Sequence, residues 1–285
     1  MLRSACSRVT KFSLAQLTVL GASPPELIRV AAAAGYDYVG LRLLEVTGGD
    51  AWPLATDARL MRETKTAIAG HDVRVLDIEL ARLTPDFSVN EIRPTLDAAA
   101  ELGARHVLTQ AHDPEWGRLV ENFGSLCDTL ANYSLTADVE FLTWTPMRGV
   151  KEVMRLLAAA NRANAGITID TLHFFRSHCP LEDLYAVPPE LFHFIQISDG
   201  PRVGPTTTEG LIFAAREDRL DPGAGELELG ALLKELPQDV TVAIEIPNTS
   251  LAANLSDEER SRRALLAAKK LIRDMPSRGA ATTAQ

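Results

Sequence analysis

The feature that most constrains this chain is a rhythm: short apolar runs of strand character alternate with longer segments of helical period, eight times over. The strand-like runs fall at residues 12–19, 36–43, 73–80, 106–110, 137–143, 166–173, 191–199 and 240–248. Helical patterns fall at 24–34, 57–69, 90–102, 115–132, 150–164, 227–236 and 257–275, with a short one at 181–186. Runs such as VGLRL, VRVLDI and VTVAIEI are apolar with little alternation, as parallel strands covered on both faces must be. Such an alternation predicts one α/β domain, a single (β/α)8 barrel over residues 1–275 with a frayed tail at 276–285.

Helix boundaries agree with that count. Ser23 before Pro24 reads as an N-cap and first helical residue, and Ser256 with Glu259 fits a capping box. Gly35, Gly70 and Gly103 sit where helices should stop. The segment 199–225 is longer than a usual connection between a strand and the next helix. Loops of that length are often functional lids, and a disordered insertion is the alternative.

Charge narrows the partners. With 29 basic and 38 acidic residues the formal charge is −9, which repels a phosphate backbone or an anionic membrane. The N-terminal stretch carries positive charge but no sustained apolar run, so a cytoplasmic protein is expected. Cys6, Cys127 and Cys179 are widely spaced and form no C-x-x-C pair, which argues for reduced thiols.

In such a barrel, chemistry sits at the C-terminal ends of the strands. Strands five to eight each present one oxygen donor near that end: Glu140 in DVEFLTW, Asp170 in ITIDTLH, Gln196 in HFIQISDGP and Glu245 in VAIEIPN. Three carboxylates converging on one rim repel each other unless a cation joins them. All-oxygen ligation favours Mn²⁺ or Mg²⁺, with Co²⁺ as a substitute. Four unrelated polar strand residues are the bland alternative.

These motifs, with IDTLHFFRS, REDRLDPGAGEL and IEIPN, resemble the xylose isomerase-like TIM barrel superfamily, specifically its sugar phosphate isomerase/epimerase group. The group includes ketohexose 3-epimerases, inosose dehydratases and isomerases, and 3-dehydroshikimate dehydratases. The resemblance spans nearly the whole barrel and implies that Glu140, Asp170, Gln196 and Glu245 hold the metal. It also implies that Glu140 and Glu245 are the acid/base pair and that His173 contacts substrate. The family often has histidine where Gln196 stands, and glutamine there is similar to one branch of dehydroshikimate dehydratases.

The activity implied is isomerisation or epimerisation of a small polyhydroxylated ketone or aldehyde, by proton transfer through an enediolate on the metal. A lyase dehydrating a cyclic keto-acid or ketosugar is the alternative. Arg219 before a Pro-Gly turn, and less strongly Arg216 and Arg176, are candidates to hold an anionic group. Glu45, Glu79, Arg82, Gln110, His112 and Trp144 could line the substrate pocket, although caps, ion pairs and packing explain them equally well, and His193 reads as structural. A DNA-cleaving, histidine-rich multi-zinc site of the endonuclease IV type is disfavoured by six histidines in all, by Gln196 and by the acidic charge. A non-catalytic partner subunit is the remaining alternative, and a homo-oligomer is compatible with the resemblance.

Overall fold

The computed structural model describes residues 10–46 and 50–275. The expected tail and Cys6 lie outside those residues, and Cys127 and Cys179 are free thiols. In chain order the elements are β1 (Phe12–Leu14), α1 (Pro24–Ala34), β2 (Tyr38–Arg42), α2 (Ala58–Gly70), β3 (Arg74–Leu83), α3 (Val89–Glu101), β4 (His106–Ala111), α4 (Trp116–Ala131), β5 (Thr136–Glu140) and α5 (Val150–Ala160). They continue with β6 (Ala165–Asp170), α6 (Thr171–Arg176), β7 (Phe194–Ile197), α7 (Thr208–Glu217), α8 (Leu229–Glu235), β8 (Thr241–Ile244), α9 (Thr249–Ala252) and α10 (Asp257–Asp274). Strands pair in sequence order, all parallel, and β1 closes on β8. The chain is a single (β/α)8 barrel.

Local chemistry sets the helix ends. Glu26 accepts from the backbone of Ser23 at 2.8 Å, and Glu259 does the same for Ser256 at 2.9 Å, so both helices start on reciprocal caps. Gly35 closes α1 at φ 94°, a backbone that a side chain would strain. Gly70 is where α2 stops, as its last residue, and His71 caps the helix in extended conformation.

Several strands are shorter than their apolar runs. The run at 12–19 breaks after Leu14 and continues as a 3-10 turn, Gln16–Val19, and the short helical pattern at 181–186 is likewise 3-10. The run at 166–173 ends at Asp170, because the Asp170 carboxylate accepts from the backbone N–H of His173 at 3.0 Å and caps α6. His173 is therefore on a helix. The long segment 199–225 is not a bare loop, since α7 occupies its middle.

Most apolar side chains form one shell between sheet and helices. A second, small cluster of Leu76, Leu80, Leu108, Phe194 and Ala243 fills the barrel interior. Leu80 and Leu108 also line a cavity at the C-terminal end of the barrel, so this cluster is its floor. No helix of the described residues is long and apolar enough to cross a membrane.

Candidate metal centre and substrate cavity

The ends of β5 to β8 bring Glu140, Asp170, Gln196 and Glu245 to one side of the barrel. Register places Gln196 beside Asp170 and Gln110 beside Glu140, which makes neighbours of residues far apart in the chain. Glu140, Asp170, Gln196 and Glu245 are all buried. Their connections form one network. Gln110 Nε2 donates to Glu140 at 2.5 Å, and Gln196 Nε2 donates to Glu245 at 3.0 Å. The Arg219 guanidinium, 2% exposed, bridges Asp170 at 2.5 Å and Glu245 at 3.0 Å.

Ligand atoms of Glu140, Asp170 and His173 lie within 4.8 Å of one another, while Glu245 stands outside that group and reaches it through Arg219. His173 Nε2 is 3.9 Å from Glu140 Oε1, and the Trp144 ring meets the imidazole edge-on with centroids 5.2 Å apart.

Electrostatics follow from this crowding. Burial, reinforced by the nearby Asp170 charge, raises the Glu140 carboxyl to about 8. Burial also pushes Glu245 well above the usual carboxylate range, although Arg219 opposes it. Asp170 goes the other way: burial works against its charge, but Arg219 and His173 outweigh it and hold the carboxyl below its ordinary value. His173 is driven down to about 4, first by burial, so its imidazole is neutral at neutral pH.

The residues present fit a hard divalent cation. Three buried carboxyls share one bridging guanidinium, and a divalent cation would favour the ionised forms of Glu140 and Glu245 that burial now disfavours. Gln196 Oε1 is buried without a hydrogen-bond partner, a free neutral oxygen of the kind such ions take. Metal ligation by Asp170 and Glu245 would compete with Arg219 for the same oxygens.

A cavity of about 230 Å³ opens above these groups and is lined by Gln110, Glu140, Trp144, His173, Arg219 and Glu245 among others. That is below the ~300–1,000 Å³ of sites for drug-sized ligands, which suits a small molecule. Asp170 and Gln196 are buried behind its wall. Glu79 is also behind it, in an ion pair with Arg42 at 2.9 Å. Arg176 is not a cavity residue: its guanidinium donates to the Pro201 carbonyl at 2.8 Å and supports the loop after β7. Glu45 faces a separate groove with Phe87 and Ile92. Arg219 does not stand free over the site as expected, because its charge is committed to the chain's own carboxylates.

Further positive charge comes from Arg82 and Arg216, which line the cavity; Arg82 donates to the Val46 carbonyl at 3.1 Å, and the charges of Asp50 and Glu217 act on Arg216. Burial and then Arg42 and Arg82 lower the Arg216 guanidinium, while burial, Arg82 and Arg216 take His112 down to about 4. Arg42, also on the cavity wall, is a residue that sequence reasoning missed. Its signal was present: a charge at the end of the apolar run VGLR.

Barrel and site together define a parallel-barrel protein with an oxygen-rich polar centre at the C-terminal rim. The chain belongs to the xylose isomerase-like TIM barrel family, whose sequence profile matches residues 28–271. No curated protein matches it by sequence. Among solved structures it is similar to a fusion of a xylose isomerase-like TIM barrel with 4-hydroxyphenylpyruvate dioxygenase, at 19% identity and TM-score 0.77. That match covers 92% of this chain, which spans 42% of the fusion's length. It is similar to D-allulose 3-epimerase from Methylomonas sp. in complex with D-allulose, at 17% identity and TM-score 0.68, over 92% of this chain and 97% of the other. It is similar to the probable 3-DHS dehydratase AsbF from Bacillus anthracis, at 13% identity and TM-score 0.71, over 91% and 99%. At these identities the likeness is one of fold.

Proposed function

We propose that the protein is a divalent-metal-dependent isomerase or epimerase that moves a proton beside the carbonyl of a small polyhydroxylated ketone or aldehyde. The observation that carries this reading is the matched pair Glu140 and Glu245. Both line the cavity, each accepts from a glutamine amide, and both carboxyls are held above the usual range. A carboxyl tuned toward neutrality serves as acid or base at physiological pH. A divalent ion held by Glu140, Asp170, Gln196 and Glu245 would supply Lewis-acid polarisation of the substrate carbonyl, acidifying the neighbouring C–H.

One glutamate, ionised, accepts that proton, and the other, protonated, returns one. Return to the opposite face of the same carbon epimerises; return to the adjacent carbon isomerises. Neutral His173 offers its ring N–H to a substrate oxygen, and Trp144 holds the imidazole in place. The substrate is a small cytoplasmic metabolite, not nucleic acid.

A second reading has its own support. Arg82 and Arg216 on the cavity wall suit a substrate carboxylate, as in dehydration of a cyclic keto-acid. There the same proton removal is followed by loss of a β-hydroxyl as water, giving a conjugated enone. The deciding experiment incubates the Mn²⁺-loaded enzyme in D₂O with ketohexoses and, separately, hydroxylated cyclic keto-acids. Carbon-bound deuterium in an isomeric ketose supports the first reading, and a new ultraviolet absorbance from the keto-acid supports the second. No exchange and no absorbance with either panel, or rates unchanged in Glu245→Gln, would overturn the proton-transfer assignment.

A further inference from the structure

The opposite mouth of the barrel carries a second cluster that the proposed chemistry does not use. Asp138 lies on β5 two residues before Glu140 and is fully buried. His106, the first residue of β4, and His193, just before β7, turn toward it. His193 Nδ1 is 2.6 Å from Asp138 Oδ1, and His106 Nδ1 is 3.5 Å from Asp138 Oδ2. The two imidazoles stack with centroids 5.4 Å apart and planes 16° from parallel. One ligand atom from each of the three residues lies within 4.8 Å of the others.

The surroundings leave room for this arrangement and steady it. The Thr136 hydroxyl donates to Asp138 and meets His106 Nδ1 at 2.7 Å. Gly166 on the neighbouring strand has no side chain where one would collide: a Cβ there would stand 2.5 Å from both Asp138 Oδ1 and His193 Nδ1. Leu76, Leu108 and Phe194 belong to the apolar layer inside the barrel, which separates this mouth from the cavity.

We propose that His106, Asp138 and His193 bind a divalent transition-metal ion of the zinc class, a second site independent of the upper centre, which clasps β4, β5 and the start of β7. Two imidazole nitrogens and one carboxylate oxygen are the three-ligand set that borderline ions take, with water in the fourth position. The upper, oxygen-rich set favours harder ions, so the two mouths select differently.

Distances decide how far the cluster must move. Ligand atoms around tetrahedral zinc, each about 2.0–2.1 Å from the metal, lie about 3.3 Å apart. His106 Nδ1 stands 3.5 Å from Asp138 Oδ2, while His193 Nδ1 meets the other oxygen, Oδ1, so the carboxylate must turn to present one oxygen to an ion shared by both rings. The His193 to Asp138 contact must open by about 0.7 Å, and rotation of the half-buried His193 ring supplies that. Without metal His193 Nδ1 donates to Asp138 and His106 Nδ1 donates to the Thr136 hydroxyl, and the ion displaces the proton on each donating Nδ1. Thr136 then serves as the supporting partner that orients Asp138.

The test uses Zn²⁺ titration of the full chain, followed calorimetrically and by elemental analysis, in wild type, Asp170→Asn and Asp170→Asn/His193→Gln. Wild type should bind two ions, Asp170→Asn should keep one, and the double variant none. X-ray absorption on zinc-loaded Asp170→Asn needs no change in the lower cluster and should show two imidazole ligands. If the upper site binds nothing, wild type should hold one ion that survives Asp170→Asn, which still supports the lower site. An Asp170→Asn protein that binds no zinc, or holds it among oxygens alone, would overturn the proposal and leave His106, Asp138 and His193 as a hydrogen-bonded clasp only.

Discussion

The most direct test of the upper site's electrostatics is the pH dependence of folding in metal-free protein, with Glu140→Gln as the perturbation. The Glu140 carboxyl is raised from 4.5 to about 8 because it is buried beside Asp170. The folded state therefore holds this proton more tightly than the unfolded chain does. The sign follows: the stability present below the unfolded value is lost as pH rises through the folded one. At about 1.36 kcal/mol per pKa unit, the loss between pH 5 and pH 8 from this group is on the order of a few kcal/mol. Glutamine keeps the shape and can still accept from Gln110, but it cannot ionise, so the variant should lose that part of the slope.

Guanidinium unfolding in EDTA at the two pH values measures both proteins, with midpoints compared at unchanged m. Glu245, also raised by burial, contributes a slope of the same sign, so the variant flattens the dependence without abolishing it. Added Mn²⁺ should reverse the trend in wild type, because a cation that binds the ionised carboxylates stabilises the fold most where they are ionised. A wild-type protein whose stability does not fall between pH 5 and pH 8, or a fall that Glu140→Gln leaves intact, would refute the reasoning.

Three further outcomes are expected. Arg219→Leu strips the buried carboxylates of their bridging cation and should cost about 3–5 kcal/mol at pH 7 in metal-free protein by denaturant unfolding. Gln110→Leu removes the amide that orients Glu140 and should lower kcat about 10- to 100-fold in steady-state kinetics while thermal unfolding stays near wild type. Arg216→Ala should raise KM for an anionic substrate by about tenfold or more, the scale of one charge-assisted hydrogen bond, and leave a neutral ketose unaffected, which separates the two substrate classes kinetically.

Barrel architecture was legible in the sequence because buried parallel strands and amphipathic helices carry different periods, and the two alternate here without interruption. The four strand-end donors were legible for a related reason: Glu140, Asp170, Gln196 and Glu245 interrupt apolar runs where burial makes a polar group costly. What sequence could not give was competition among partners. Arg219 reads as a loop residue reaching for substrate, yet the structure spends its charge on Asp170 and Glu245. Arg176 lies in IDTLHFFRS, one of the segments that carry the family resemblance, yet it supports a loop through the Pro201 carbonyl. His106 and His193 are unremarkable in sequence, being 87 residues apart, and only barrel closure turns both toward Asp138. Strand ends were overrun for a local reason, since an apolar run does not reveal that Asp170 will cap the next helix.

The segment between β7 and β8 is fastened at its far end and along its return. Asp199 and Leu220 exchange backbone hydrogen bonds, Arg219 N–H donates to the Pro247 carbonyl, and Asn248 donates back to Arg219. Between these stitches α7 carries Ile212, Ala215 and Arg216 into the cavity wall. Arg219, just past α7, donates to the Ala215 carbonyl of that helix and bridges Asp170 and Glu245, so one guanidinium ties the helix to the strand-end carboxyls. A shift of α7 would therefore move the charge that holds those carboxyls, and a change in the cavity wall is felt at the polar centre.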